Sequence, residues 1–497
     1  MFKDLKNFPS NSILRYDICI VGTGPAGLSV AKQLLGTDLK IAILESGGLE
    51  PEPEYQELNE GINSGPSYLS LDSSRLRCFG GAGKLWAGHC APFKSDEFDK
   101  KSYVPLSGWP ISYDDLKVYY KQAAEMLGIS YEKFYNKDLL GNTFKEKSFN
   151  EFIRDNSFLT HEVYQFSNTK NRDFAEKYKT EFKASKNTDI IFHSTATKLN
   201  LVNKGNDVDS ISIANLDGNN ATIKAKIFVL ACGALENPRI LLASNKYNKN
   251  GIGNKSGFVG SCFMSHPGID KVAEVYKTDN KSCIDKNFTN KNYKVAFTTS
   301  SNKRSESKIL RHSLSLKEKL SFKDKLIDKK FSFFNIKCGR NKQKITQNWN
   351  LTVGLEQPPR ISNNLKLHDT KDALGMPKID MFWDSLSKIE KDTVLKSVKI
   401  MARELGILNT GKIKFKKEFL NGKSYIFDDP INHHIGTTRM SDNPQTGVVD
   451  KNCKVFGLSN LYISSSSVFT TSSIVNPTYT IIALSLRLGE YLKNIKL

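Results

Sequence analysis

The spacing of apolar positions gives the first picture of the chain. Between residues 16 and 45, YDICIV reads as a short strand, LSVAKQLL has helical spacing, and LKIAILE is a second strand ending in an acid. Residues 71 to 93 are rich in glycine and read as an extended loop. Over residues 112 to 127 a helix is expected, with Ser112 as its cap and Asp114 and Asp115 in the first turn. Residues 188 to 230 alternate in β fashion with a hairpin turn at LDGNN, and ACGALENPRILLAS turns a strand into a helix. From about 290 to 385 the runs YKVAFTT, WNLTVGLE, NNLKLH and KIDMFW predict an antiparallel sheet. Residues 385 to 405 read as a helix, and the last 65 residues return to strand, loop and helix. Strand-and-helix segments at both ends with a β-rich middle predict an α/β fold in which one domain is assembled from discontinuous pieces.

GTGPAG sits between the first strand and its helix, so Gly22, Gly24 and Gly27 form G-x-G-x-x-G. In that pattern the first glycine permits a tight turn, the second lets backbone approach a pyrophosphate, and the third packs helix on strand. The helix start offers free N–H groups to phosphates. Glu45, at the end of the second strand, can accept from a ribose diol, and Ser46 follows it. The pattern points to a dinucleotide; its place near the amino terminus leans toward FAD, but the motif does not itself separate FAD from NAD.

Composition narrows the class. The 497 residues are 39% hydrophobic and 10% aromatic, which excludes disorder and coiled coil. Net charge is +20, but only 13 of the 72 basic residues are Arg, and no nucleic-acid-reading motif accompanies the lysines. No nucleic-acid partner is therefore expected. The 8 cysteines are scattered without C-x-x-C, so reduced thiols and no metal site are expected. No signal peptide is read, and cytoplasmic placement, in a bacterium, is expected. The 32 residues from Val455 to Leu486 carry no charge, yet 15 are Ser, Thr, Asn or Pro. That is too polar for a spanning helix and fits buried backbone lining a cofactor.

Three further blocks carry a family resemblance: GGAGKLWAGHCAPF with SGWPISYDDLKVYY, then FVLACGALENPRILLAS, then the stretch from His433 to Leu492. With the glycine fingerprint they resemble the glucose–methanol–choline (GMC) oxidoreductases, most closely the bacterial sugar-dehydrogenase and pyranose-oxidase branch. The resemblance implies a Rossmann-like FAD-binding domain (residues 12–100, 186–268 and 430–497). It also implies a substrate domain (101–185 and 269–429) with an antiparallel β-sheet and flanking helices, the p-hydroxybenzoate-hydroxylase-like arrangement. It implies oxidation of a carbinol, of a sugar or sugar-containing small molecule, by hydride transfer to flavin N5.

His433, in an H-x-h-G-T pattern completed by Ile435, Gly436 and Thr437, falls on the family's base, and Asn476 on its second catalytic position. The loop carrying Gly81, Gly83, Trp86 and Ala87 should run beside the flavin ring and pyrophosphate. Leu85 stands where some relatives have a flavin-linking His, so FAD is expected to be noncovalent. Thr197 matches the adenine contact, Ser465 and Ser466 the pyrophosphate segment, and Pro477 and Thr478 the flavin pyrimidine edge. His434 should point away from His433, His89 could face the pocket, and His266, before Pro267, reads as structural. The acceptor implied is oxygen, a quinone or a carrier protein. A lyase with structural FAD and a non-catalytic flavoprotein partner are the rivals.

Residues 303 to 344 hold 14 basic and 4 acidic residues. Leu316, Leu320, Ile327, Phe331 and Phe334 form an apolar stripe at near-helical spacing, with lysines on the other faces. The expectation is an amphipathic helix packed on the substrate domain or acting as a lid, with peripheral membrane or protein docking as the alternative.

Overall fold

The protein is described here by a computed structural model, over residues 1–66, 68–135, 157–202, 205–278, 292–318, 348–384, 386–421 and 431–495. A six-stranded sheet runs in the order Phe2–Asp4, Thr188–Phe192, Ile41–Leu44, Ile18–Val21, Ile227–Leu230, Leu461–Ile463, and every pairing is parallel. Its inner strands Ile41–Leu44, Ile18–Val21 and Ile227–Leu230 are buried at every position, as a sheet covered on both faces requires. Each buried Ile, Leu or Val there contributes about 1.5–3 kcal/mol. Three distant stretches of chain thus build one sheet. Its first strand, Phe2–Asp4, lies ahead of the expected start at residue 12, with Phe2 opposite Ile190.

A seven-stranded antiparallel sheet forms the second layer, from Gly411–Phe415 through Gly268–Lys277, Asn348–Leu355, His312–Glu318, Tyr293–Thr299 and Leu159–Phe166 to His89–Cys90. The expected antiparallel sheet is therefore present, with one change of membership. Asn364–Lys371 and Pro377–Phe382 leave it to form a separate three-stranded sheet with Gly61–Asn63. Leu316 is also a correction. It lies in a strand opposite Leu351, not on a helix, because Leu314 and Leu316 follow the two-residue period of a sheet. Leu320, Ile327, Phe331 and Phe334 lie outside the described residues.

The helices follow their sequence signals. Lys388–Ile407 starts on a capping box in which the Ser387 amide donates to Glu390 at 3.0 Å. Ahead of Asp114–Leu127, the Ser112 amide and hydroxyl both donate to Asp115, at 2.7 and 2.8 Å. The final helix, Thr478–Lys493, packs against both Pro25–Leu34 and Asp114–Leu127. There Tyr120 and Thr480 share a hydroxyl bond of 2.8 Å, and Tyr479 donates to the Tyr120 carbonyl at 2.6 Å. This packing ties the last helix to the helix that follows the glycine turn. No helix among the described residues is long and apolar enough to cross a membrane.

Candidate active site

A cavity of about 700 Å³ opens beside the carboxyl ends of the parallel strands. Its two ends are built differently. At the first, Gly22 has φ +108°, and a Cβ there would stand 2.7 Å from the Ala231 carbonyl oxygen. The turn ends at Gly24, which starts the helix Pro25–Leu34 with no side chain capping its amino terminus. Gly27 does not border the cavity. A Cβ on it would lie 1.9 Å from the Gly22 oxygen, so its role is to let the helix close on the turn.

Glu45 borders the same end and is 5% exposed. It accepts from the amides of Thr23 at 3.3 Å and Gly47 at 3.2 Å, and from the Thr23 hydroxyl. Burial pushes its carboxyl up from 4.5 to about 7, against those hydrogen bonds and Arg77. Ser46 lies within 2.7 Å of the Thr195 hydroxyl and accepts from Arg77 at 3.0 Å.

Arg75, Arg77, Glu236 and Arg239 also border the cavity, and sequence reasoning did not pick them out. Glu236 is bridged by Arg75 at 2.5 Å, Arg77 at 3.1 Å and Arg239 at 3.2 Å. Burial opposes the charge on Glu236, but Arg239, Arg77 and Arg75 hold it far below the usual carboxylate range. Arg75 and Arg77 are spaced by two and point the same way in an extended loop, which is the one signal that could have flagged them.

Gly81, Gly83, Leu85, Trp86, Ala87, Ser465 and Ser466 also line the cavity, and a Cβ on Gly81 would lie 3.4 Å from the Gly24 Cα. The Trp86 indole donates to the Arg172 carbonyl at 3.1 Å, and Leu85 is 52% exposed.

At the second end stand His433, Asn476, Pro477 and Thr478. The helix starting at Thr478 has no side-chain cap, so a second helix amino terminus meets the cavity. His433 belongs to strand Ile431–Ile435, which pairs antiparallel with Met264–His266 across a register shift. His266 is paired with Ile431, so His433, two residues on, is its diagonal neighbour on the same face. His433 Nδ1 and His266 Nδ1 are 2.8 Å apart, and Asn476 Nδ2 is 3.2 Å from His433 Nε2. Burial first, then His266, His434 and His89, hold His433 well below the usual imidazole range, so it is neutral.

Other expectations move. Thr197 does not border the cavity: its hydroxyl donates to the Ser212 carbonyl at 3.2 Å within the neighbouring sheet, and Ser194, Thr195 and Ala196 form the wall instead. His89 does not border it either, since its ring stacks on Phe166 at 4.4 Å. His434 turns to the opposite side of its strand, with Tyr68 and Phe263 each at 5.9 Å, and still borders the cavity. His266 is corrected from a bystander to a hydrogen-bond partner of His433. Nothing in its local sequence announces a partner 167 residues away.

A cavity lined by a glycine turn, two uncapped helix starts, a buried carboxylate and arginines fits a dinucleotide with an extended ring system, as FAD has. Among the described residues no His, Cys, Asp and Glu cluster could hold a metal ion.

Comparison with known proteins agrees. Two family models described as GMC oxidoreductase match residues 78–268 and 359–485. The fructose dehydrogenase large subunit of Gluconobacter japonicus is 23% identical, covering 98% of this chain and 99% of its own. The 2-methyl-1,2-propanediol dehydrogenase of Mycolicibacterium austroafricanum is 24% identical, covering 96% and 95%. Among solved structures, a formate oxidase from Aspergillus oryzae superposes with a TM-score of 0.59 at 17% identity, covering 98% of this chain and 99% of its own. A pyridoxine 4-oxidase from Mesorbium loti gives 0.58 at 15%, covering 97% and 100%. Matched over more than half its length by the two family models, and over nearly all of it by these relatives, the chain belongs to the GMC oxidoreductases, FAD-dependent enzymes acting on alcohol groups.

Proposed function

We propose that this enzyme oxidises a carbinol of a sugar or sugar-containing small molecule to a carbonyl, with His433 as general base and FAD held without a covalent bond. The observation that carries the proposal is the pairing of a neutral, half-buried imidazole on the cavity wall with the Asn476 amide at 3.2 Å. Bound FAD supplies the hydride acceptor. His433 takes the hydroxyl proton at Nε2, a role typically worth about 10²–10⁴-fold. Asn476 donates to the substrate oxygen and holds it against that nitrogen. Gly22, Gly24 and the start of Pro25–Leu34 receive the diphosphate, Glu45 the ribose diol, Ser465 and Ser466 the diphosphate from the far side, and Pro477 and Thr478 the pyrimidine edge. Leu85 offers carbon where a linking nitrogen would be needed. The sugar class rests on family resemblance and on the fructose dehydrogenase relative.

The test is anaerobic bleaching of the flavin across a panel of sugars, glycosides and simple alcohols, in the native enzyme and in His433→Ala. Native enzyme should bleach with at least one sugar, and the variant should bleach at least about 100-fold more slowly with its cofactor in place. Acid precipitation should release the yellow cofactor to the supernatant. Undiminished bleaching in His433→Ala overturns the assignment of the base.

A further inference from the structure

Behind His433, three segments far apart in sequence form one hydrogen-bonded line. His266 is 4% exposed. Its Nε2 lies 2.8 Å from the Ser472 carbonyl oxygen, and its Nδ1 lies 2.8 Å from Nδ1 of His433. The two rings are nearly perpendicular, at 85°, with centroids 4.8 Å apart.

A carbonyl oxygen only accepts, so Nε2 of His266 must carry hydrogen. His266 is itself neutral, because burial lowers it to about 4. Its Nδ1 is therefore a lone pair, and the hydrogen between the two rings must belong to His433 Nδ1. A neutral His433 protonated at Nδ1 is bare at Nε2, and there the Asn476 amide donates. One carbonyl thus sets the tautomer of the base two rings away. That carbonyl is itself held: the Gln357 amide donates to the Ser472 hydroxyl at 2.8 Å, and the Gln357 side-chain oxygen accepts from the Ser265 amide, next to His266, at 2.9 Å.

We propose that His266 is a positioning residue for the reaction: it locks His433 in the Nδ1–H tautomer and so keeps the Nε2 lone pair turned to the substrate hydroxyl. The proposal rests on His433 being the base. When the hydroxyl O–H bond breaks and its proton goes to Nε2, His433 becomes a cation, and its bond to His266 Nδ1 becomes charge-assisted. Such bonds are roughly twice as strong as neutral ones. The contact thus strengthens as the reaction proceeds, which is the condition for it to accelerate the chemistry rather than merely hold a ring. A protonated His266 would have no lone pair to offer, so its buried, neutral state is part of the device.

The experiment compares His266→Ala and His266→Gln with native holoenzyme and with His433→Ala. The readouts are the rate of anaerobic flavin reduction, KM, FAD content, and the nitrogen spectrum of isotope-labelled histidine. The resonances of His433 are assigned by their loss in His433→Ala. Native enzyme should show His433 bare at Nε2 and protonated at Nδ1. In His266→Ala the two tautomers should mix and reduction should slow about 100-fold, the scale expected for a misplaced catalytic group, with KM and FAD content little changed. Glutamine can accept and donate at once, and it should restore most of the rate and the native tautomer.

A native spectrum with hydrogen on Nε2 overturns the proposal without any variant having to fold. So does a His266→Ala enzyme that keeps the native rate and tautomer while His433→Ala is inactive, an outcome that leaves the base assignment standing. Undiminished reduction in His433→Ala instead removes the base assignment itself, and the relay with it.

Discussion

The two ends of the cavity do their work with different parts of the chain. At the glycine end the chemistry is backbone: a turn at φ +108°, an uncapped helix start, and a helix brought so close that a Cβ at Gly27 would sit 1.9 Å from a carbonyl oxygen. At the histidine end it is side-chain protons, ordered along Ser472, His266, His433 and Asn476. The glycine end should be intolerant of added atoms and should govern whether the cofactor stays. The histidines at the other end should tolerate substitution and should govern rate.

Three substitutions sharpen that contrast, and the largest effect is expected at Gly27. Gly27→Ala forces helix and turn apart, at a cost of about 1–3 kcal/mol or more. Purified protein should come off the column with most of its yellow colour lost and a lowered melting temperature. A fully loaded Gly27→Ala enzyme would erase the proposed division.

Glu45→Gln comes next. Above pH 7, where Glu45 is ionised, losing this charged acceptor for the ribose should weaken FAD roughly 10–100-fold, read by titrating apoprotein with FAD, because such hydrogen bonds are worth about 1.5–3 kcal/mol. The apoprotein should also change its response to pH. Its Glu45 stays protonated up to about 7, whereas the unfolded chain releases that proton near 4.5. The stability from the buried neutral carboxyl is therefore fully present below 4.5 and is lost as pH rises through 7, by roughly 3 kcal/mol in all. Glu45→Gln should flatten that decline in a melting-temperature series. An equal decline in both proteins would show that Glu45 is not its source.

Thr197→Val should do least. It removes one hydroxyl bond to Ser212 within a sheet, worth about 0.5–1.5 kcal/mol, and should leave the FAD dissociation constant unchanged. A measurable loss of FAD affinity would put Thr197 back in the adenine site.

Legibility in the sequence divides along the same line. The glycine turn, the capping box at Ser387 and Glu390, and the hairpin of Val208–Ala214 with Asn220–Lys224 are written in neighbouring residues, and local physics suffices to read them. Leu316 is harder, because its spacing to Leu314 suits a strand while its spacing to Leu320 suits a helix. Pairing with Leu351 selects the strand, and no local window contains Leu351. His266 is harder still. Its meaning comes from a strand partner at Ile431 and a carbonyl at Ser472, both supplied only by the folded chain. The adenine wall shows a smaller version of the same problem: strand Thr195–Leu201 is evident, but which residues face the cavity depends on its pairing with Val208–Ala214.

The cavity is closed by Gly22 near one end of the sequence and by Pro477 and Thr478 near the other. A chain that folds from its amino end as it leaves the ribosome has a glycine turn ready early, but the facing helix is made hundreds of residues later. Flavin loading therefore waits until both segments have been made. A cell starved of riboflavin would accumulate colourless enzyme with both walls of the cavity made and waiting for its pigment.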